Sequence, residues 1–366
     1  MDTQGKFVSF NPGPSQLYAE IEEDIKQALG EHLLSLSHRS EKFGEVVQRA
    51  KNNLRNYFSI PADYRIFFVS SAVEAMEIAL RNLCAQKSFH FINGAFARRF
   101  FNSAQQTKKN PVHLTAEEGK SFVFEQVKIP TDCDLVCLTQ NETSTGVRLL
   151  YGFIEKVRKG HPDKLIAADI VSSAATERTL FELADFWFFS VQKACGLPSG
   201  LGVIIASKKA LSKAKVQAAH GADIGAHHSL LSLDEFGQKN QTPATPNMLA
   251  IYLLGKRFER LIKAGIEAVE KETIEKANLL YKWLDYHATL KPFVNNSADR
   301  SFTVVPVVLP EGTTAQSVQE ALKSQDMAVG SGYGSFKDSQ IRIANFPQHT
   351  KEDIERLIEA LNAIVK

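Results

Sequence analysis

Apolar residues in the first two hundred positions follow two alternating spacings. Runs of three to five mostly apolar residues indicate strands buried on both faces, and apolar residues three or four apart indicate helices with one buried face. A repeated strand–helix order predicts a mostly parallel sheet with helices on both sides. The predicted strands are residues 66–69, 89–92, 112–114, 135–139, 165–168, 186–189 and 203–206. The predicted helices are residues 17–29, 42–58, 73–83, 96–106 and 151–159, and another begins at Lys208.

The rest of the chain predicts a smaller α+β unit. A helical pattern from Met248 to about His287 is typical of helices that join domains. It is followed by a predicted strand 302–309, helix 314–324, the glycine-rich turn GSGYGSF, strand 341–344 and helix 351–364. Because 366 residues exceed the usual size of one core, we expect a large domain at 15–265. The small domain is expected to combine 266–366 with an extended arm, 1–14, since the sequence NPGP in this arm cannot lie inside a helix.

Composition excludes several classes of protein. A net charge of +2 and a pI near 8.2 do not indicate a nucleic-acid binder, which would concentrate Lys and Arg on one face. The four cysteines form no CxxC pair, which fits a reducing compartment. The N-terminal residues carry neither a basic nor an apolar signal segment, and no apolar run is long enough to span a membrane. We therefore expect a cytoplasmic protein, and no metal site is predicted.

Lys193 is the main candidate for chemistry. It follows the apolar run 186–189 and precedes a glycine-rich turn and a second apolar run, 203–206, with no other charge nearby. Desolvation there would favour the free amine that attacks a carbonyl group. From this stretch alone, a Schiff-base lysine and an ordinary surface lysine are equally good interpretations.

Four further features follow predicted strands, where ligands bind in parallel sheets. Ser70 and Ser71 begin the stretch SSAVEAME, whose helix start could bind a phosphate, although a serine N-cap is the simpler interpretation. Asp169 ends a buried strand, where it could pair with a protonated ring nitrogen or cap a turn. Thr143 in NETSTG offers a hydroxyl or marks a polar turn. Phe96 could stack on a planar ring or belong to a helix core.

Taken together, these features resemble the class V (subgroup IV) aminotransferases, which use pyridoxal 5′-phosphate. The likeness extends along nearly the whole chain, through NPGP, SHRS, NETSTG, ADIVSS, SVQK, QTPATP and QIRIANFP. It implies the type I fold of pyridoxal-phosphate enzymes: an α/β protein with a mostly parallel, seven-stranded sheet and a small α+β C-terminal domain. Within the group, the phosphoserine aminotransferases are the most similar.

The resemblance implies a role for each matched residue. Lys193 would bind the cofactor as a Schiff base and transfer protons, and Asp169 would hold the ring nitrogen. Phe96 would stack on the ring, Thr143 would bond the phenolic oxygen, and Arg342 would bind the substrate α-carboxylate. The phosphate would be bound by residues Ser71, Ala72, Val73 and Gln192, and by Gln241 and Thr242 of a second subunit. A homodimer with shared sites follows, acting on amino acids and 2-oxo acids.

The matched residues indicate the reaction class more directly than the substrate. His38 and Arg39 match a pair that binds a distal acidic group in phosphoserine aminotransferases, although a surface pair is the alternative interpretation. The stretch before Arg342 lacks the His-Arg pair that many of these enzymes carry, and Lys337 could supply the charge. Phosphoserine with 2-oxoglutarate is the expected pair for serine biosynthesis. Alanine–glyoxylate and serine–pyruvate transamination, a lyase of the cysteine-desulfurase kind, and a cofactor-binding regulator without catalysis are the alternatives.

Overall fold

A computed structural model describes residues 7–365 of the chain. The first six residues of the predicted arm lie outside this range. The expectation that the chain carries no signal segment also rests on these residues. The strands are β1 Val8–Phe10, β2 Arg65–Val69, β3 Ser88–Ile92, β4 Val112–Thr115, β5 Leu135–Thr139, β6 Asn141–Glu142, β7 Val147–Arg148, β8 Leu165–Asp169, β9 Phe186–Ser190, β10 Gly202–Ala206, β11 Lys291–Pro292, β12 Val304–Val308, β13 Met327–Ser331 and β14 Gln340–Ala344. The helices are α1 Ile21–Gly30, α2 Glu41–Phe58, α3 Ala72–Leu83, α4 Ala95–Gln106, α5 Tyr151–Gly160, α6 Lys208–Ala219, α7 Leu230–Gly237, α8 Met248–Ala264, α9 Ile266–Tyr286, α10 Ala315–Lys323 and α11 Lys351–Ile364.

The seven predicted strands of the large unit form one sheet, in the order β2-β10-β9-β8-β5-β3-β4. β10 runs antiparallel to both β2 and β9, and the other neighbouring pairs are parallel. The central strands β5, β8 and β9 are buried along their whole length, as their unbroken apolar character predicts. Because these three strands are parallel, their carboxyl ends meet at one edge of the sheet, where the site lies.

A second sheet has the order β1-β13-β14-β12-β11. The N-terminal arm contributes β1, which pairs in parallel with β13. Sequence reasoning missed β13 because its last two residues, Gly330 and Ser331, begin the predicted glycine-rich turn. Gly330 is needed here, since a Cβ atom would lie 2.6 Å from Cδ of Pro12 in the arm.

Two predicted helical segments need correction, and one helix was not predicted. The pattern 248–287 is two helices, α8 and α9, because Gly265 between them has a φ of +82° that interrupts the helix. The polar stretch before α8 contains α7, which was not predicted. α1 begins at Ile21 rather than at residue 17, because the backbone N–H of Tyr18 donates to the carbonyl oxygen of Gly196 instead of joining a helix.

Buried apolar residues form two large clusters, one around each sheet. The arm residues Val8 and Phe10 belong to the cluster of the small sheet. The domain boundaries at 15 and 265 stay a prediction. Within residues 7–365, every helix is too short or too polar to cross a membrane.

Candidate active site

Lys193 lies in the turn between β9 and β10, and its side chain is buried at the edge of the large sheet. Its Nζ atom donates a hydrogen bond of 2.6 Å to Oγ1 of Thr143 and lies 4.8 Å from the centre of the Phe96 ring. Burial lowers the pKa of Lys193 to about 8, although the negative charge of Asp169 acts in the opposite direction. The free amine of Lys193 is therefore more accessible near neutral pH than that of an ordinary lysine.

Asp169 is the last residue of β8 and is buried. Its Oδ1 atom accepts a hydrogen bond of 2.8 Å from the backbone N–H of Val171. Burial raises the pKa of Asp169 to about 7, against the opposing effects of this hydrogen bond and of Lys193. The site therefore places a weakened acid and a weakened base beside each other.

The N-terminus of α3 forms another wall of the site. Ser71 is its N-cap, because its Oγ atom accepts a hydrogen bond from the backbone N–H of Glu74, as the simpler interpretation of the sequence had it. Gly202 on β10 lies so close that a Cβ atom would be 2.6 Å from the Ser71 carbonyl carbon. This wall is therefore the positive end of the α3 dipole, which favours an anion.

These elements enclose one cavity. Its lining includes two buried polar atoms, Oγ1 of Thr139 and Oδ1 of Asn141, that have no hydrogen-bond partner within residues 7–365. Buried polar atoms without partners are uncommon, so the cavity suits a polar ligand. The lining residues are Ser71, Ala72, Val73, Met76, Phe96, Thr139, Asn141, Thr143, Asp169, Val171, Ser190, Gln192 and Lys193.

The hairpin formed by β6 and β7 connects this cavity to both sheets. The side-chain amide of Asn141 donates a hydrogen bond of 2.8 Å to Oγ1 of Thr303, which lies beside β12. The carbonyl oxygen of Thr143 accepts a hydrogen bond of 3.1 Å from Nη1 of Arg342 on β14. Arg342 also donates through Nε to the carbonyl oxygen of Ser331, at 2.8 Å. The small unit thus brings a guanidinium group to the rim of the cavity.

The class-V aminotransferase profile matches residues 8–357, which is most of the chain. The chain belongs to the class-V aminotransferases. It is therefore a transaminase, with amino acids and 2-oxo acids as its substrate classes, and the predicted fold and family are confirmed. A solved phosphoserine aminotransferase from Cytophaga hutchinsonii is 36% identical, with a TM-score of 0.96 over 98% of this chain and 99% of that chain.

Two other known proteins are similar to this chain over most of its length. A phosphoserine aminotransferase from Rhodococcus jostii is 27% identical over 97% of this chain and 94% of its own length. A Thermus thermophilus aspartate aminotransferase of subgroup IV is 22% identical, with a TM-score of 0.83 over 98% of this chain and all of that chain, and this likeness shows the fold alone.

In this class-V aminotransferase, four of the predicted site residues lie together but apart from the Lys193 cavity. Arg39 donates through Nη1 to Oε1 of Gln241 at 2.9 Å and to the carbonyl oxygen of Thr242 at 2.8 Å. Nδ1 of His38 lies 3.4 Å from Oγ1 of Thr245. These residues therefore form their own cluster within one chain, between the segment that precedes α2 and the loop that precedes α8.

Sequence reasoning missed Glu142, which is fully buried in the hairpin, and the role of Ser190, whose Oγ atom accepts a hydrogen bond of 2.7 Å from the backbone N–H of Ala72. One available signal was the acidic residue within the polar run that directly follows strand β5. A charged residue at that edge of a buried sheet needs partners, and those partners lie in the same site.

Proposed function

We propose that this transaminase binds pyridoxal phosphate covalently at Lys193 and uses phosphoserine and 2-oxoglutarate as its amino donor and acceptor. The observation that supports this best is the position of a buried amine, that of Lys193, next to the buried carboxylate of Asp169 and the start of α3. The unpartnered polar atoms of the cavity fit the polar substituents of such a cofactor. When bound, the cofactor supplies an electron sink for the α-carbon of the substrate.

The residues of the chain orient the reactants and move protons. Asp169 would accept a hydrogen bond from the ring nitrogen and keep a proton there. The Lys193 amine, with a pKa of about 8, is suited to remove and return the proton at the substrate α-carbon. Oγ1 of Thr143 holds Nζ of Lys193 in place at 2.6 Å, and the Phe96 ring would pack on the cofactor ring.

Arg342 would bind the substrate α-carboxylate. Two of its nitrogens already donate to backbone carbonyl oxygens, and this fixes the plane of the guanidinium group. Since a guanidinium carries five N–H donors, donors on both terminal nitrogens remain for a carboxylate.

We further propose a homodimer in which the cluster of His38, Arg39, Gln241 and Thr242 completes the cavity of the neighbouring subunit. Arg39 would then bind the distal phosphate of phosphoserine. The names of the relatives from Cytophaga hutchinsonii and Rhodococcus jostii support this substrate. The desulfurase alternative is disfavoured, because Cys195 is buried and burial raises the pKa of its thiol to about 12.

Covalent attachment is tested by reducing the purified protein with borohydride and sequencing the labelled peptide. The label is expected on Lys193, and Lys193→Ala should lose the visible absorbance of the bound cofactor. Lys51→Ala is a matched control, because burial also lowers the pKa of Lys51 to about 8 and it lies at another pocket. A label on any other lysine would refute the assignment.

The substrate is tested by comparing kcat/KM for phosphoserine with 2-oxoglutarate and for alanine with glyoxylate. The first pair is expected to be faster, and Arg39→Ala should lower that activity far more than the second. One lost charge-assisted hydrogen bond corresponds to about a 10- to 150-fold decrease. Arg49→Ala on the exposed face of α2 is the control. If glyoxylate is the better acceptor, or if Arg39→Ala lowers both activities equally, the phosphoserine assignment is wrong.

A further inference from the structure

Glu142 is a fully buried carboxylate beside the cavity that has no part in the reaction as proposed above. Its Oε2 atom accepts hydrogen bonds from the backbone N–H groups of Phe96, at 3.1 Å, and Ala97, at 2.9 Å. Its Oε1 atom accepts from Ser144, at 3.0 Å from the backbone N–H and 2.7 Å from the hydroxyl. These charge-assisted bonds tie the hairpin to the first turn of α4.

Glu142 serves as the cap of α4 from outside the helix. The residue before α4, Gly94, makes no side-chain cap, so the carboxylate of Glu142 satisfies two N–H groups of the first turn. The fit is close, since a Cβ atom at Gly94 would lie 2.3 Å from Cγ of Glu142 and 2.5 Å from Oγ of Ser144. Phe96 is the second residue of this turn, so its position depends on the carboxylate.

The next residue, Thr143, contacts two more groups of the site. Its hydroxyl accepts from Nζ of Lys193 at 2.6 Å, and its carbonyl oxygen accepts from Arg342 at 3.1 Å. Any shift of the Glu142 peptide would therefore move the acceptors of both cations.

We infer that Glu142 is a positioning residue for the transamination: its carboxylate fixes Phe96 against the cofactor and, through Thr143, sets the positions of Lys193 and Arg342. This inference rests on the proposed function, because it assigns Phe96 to the cofactor ring. It adds a residue that does not itself line the cavity.

The charge of Glu142 provides a second, independent readout. The charged groups that act on Lys193 are Asp169 and Glu142, which raise its pKa, and Arg342, which lowers it, while burial lowers it most. Removing one of the two negative charges should shift the titration of the Lys193 site to lower pH. In the holoenzyme, this titration is followed by the absorbance of the bound cofactor.

The test is Glu142→Gln, assayed for kcat, KM and the pH titration of the cofactor absorbance. The amide of Gln cannot accept at both ends, so N–H groups of α4 or of Ser144 lose their acceptor. We expect kcat to fall by about 10- to 150-fold, the loss of one charge-assisted hydrogen bond, and the titration to move to lower pH. Glu142→Asp, which keeps the charge, should restore the titration and part of kcat.

Ser144→Ala guards against a folding failure of the Glu142 variants. It removes the hydroxyl that accepts from the backbone N–H of Ala95 at 2.9 Å but keeps the Glu142 charge. It should lower kcat by roughly two- to tenfold, the loss of one uncharged hydrogen bond, and leave the titration unchanged. Glu77→Gln, the same substitution on the surface of α3, is the control for effects of expression and purification.

Three outcomes would overturn the inference. One is a wild-type kcat and titration in Glu142→Gln. Another is a loss of cofactor affinity and melting temperature with unchanged kcat in the cofactor-loaded fraction, which would mean a purely structural role. The third, decisive if no Glu142 variant folds, is a Ser144→Ala protein with wild-type kcat. A wild-type protein that binds the cofactor but lacks transaminase activity would instead refute the proposed function, and the titration would still test Glu142.

Discussion

Replacing Arg342 with lysine tests how the substrate α-carboxylate is bound. Lysine keeps the positive charge but loses the planar fork of a guanidinium group. In the wild type, Nε is held by the carbonyl oxygen of Ser331 at 2.8 Å and Nη1 by that of Thr143 at 3.1 Å. A lysine ammonium that reaches the substrate would leave at least one of these carbonyl oxygens without its donor and would offer one bond to the carboxylate instead of two.

The expected loss is that of one hydrogen bond to a charged group, about 1.5–3 kcal/mol, or a roughly 10- to 150-fold decrease in kcat/KM. The α-carboxylate does not react, so we expect it to be bound equally in the ground and transition states, and most of the change should appear in KM rather than kcat. The assay is steady-state kinetics with phosphoserine and with glutamate, beside Arg99→Lys on the exposed face of α4 as control. A change in kcat/KM of less than threefold for both amino donors, with a folded and cofactor-loaded protein, would refute the role of Arg342.

Three further predictions concern the rest of the site. Burial raises the pKa of Asp169 from 3.8 to about 7, so the folded cofactor-free protein binds this proton more tightly than the unfolded chain, and its stability falls as pH rises through that window. In urea unfolding, the free energy of unfolding of the wild type should fall by about 1.4 kcal/mol per pH unit in this window, relative to that of Asp169→Asn. A difference between the two proteins that does not change with pH would contradict the pKa shift. Gly13→Ala should lower the free energy of unfolding by about 1–3 kcal/mol and remove most of the activity, since Gly13 has a φ of +151° and an added Cβ would lie 3.0 Å from Cε of Lys193. Gly312→Ala is the control: it is also at positive φ but in open space, so it should lower stability without lowering activity. Mixing Lys193→Ala with Thr242→Ala chains should restore activity through hybrid dimers, and a monomer in sedimentation would refute the shared site.

The fold was largely predictable because buried strands and amphipathic helices leave local patterns. The seven strands of the large sheet were each recognised, since runs such as residues 186–189 are apolar on both faces. The prediction was weaker where residues far apart in sequence decide the local structure. β1 has only three residues and β13 ends in Gly330 and Ser331, so their own residues carry little signal, and their hydrogen bonds come from each other and from β14.

The sequence by itself also determined which residues follow the parallel strands, and hence that Lys193, Asp169, Thr143 and Phe96 meet at one cavity. Only the tertiary structure decided which partners satisfy them, because hydrogen bonds between distant segments depend on three-dimensional distance rather than on spacing along the chain. Glu142 shows this most clearly. In the sequence it is one acidic residue in a polar turn. Its importance comes from the first turn of α4, where the backbone N–H of Phe96, 46 residues earlier in the chain, donates a hydrogen bond to its carboxylate.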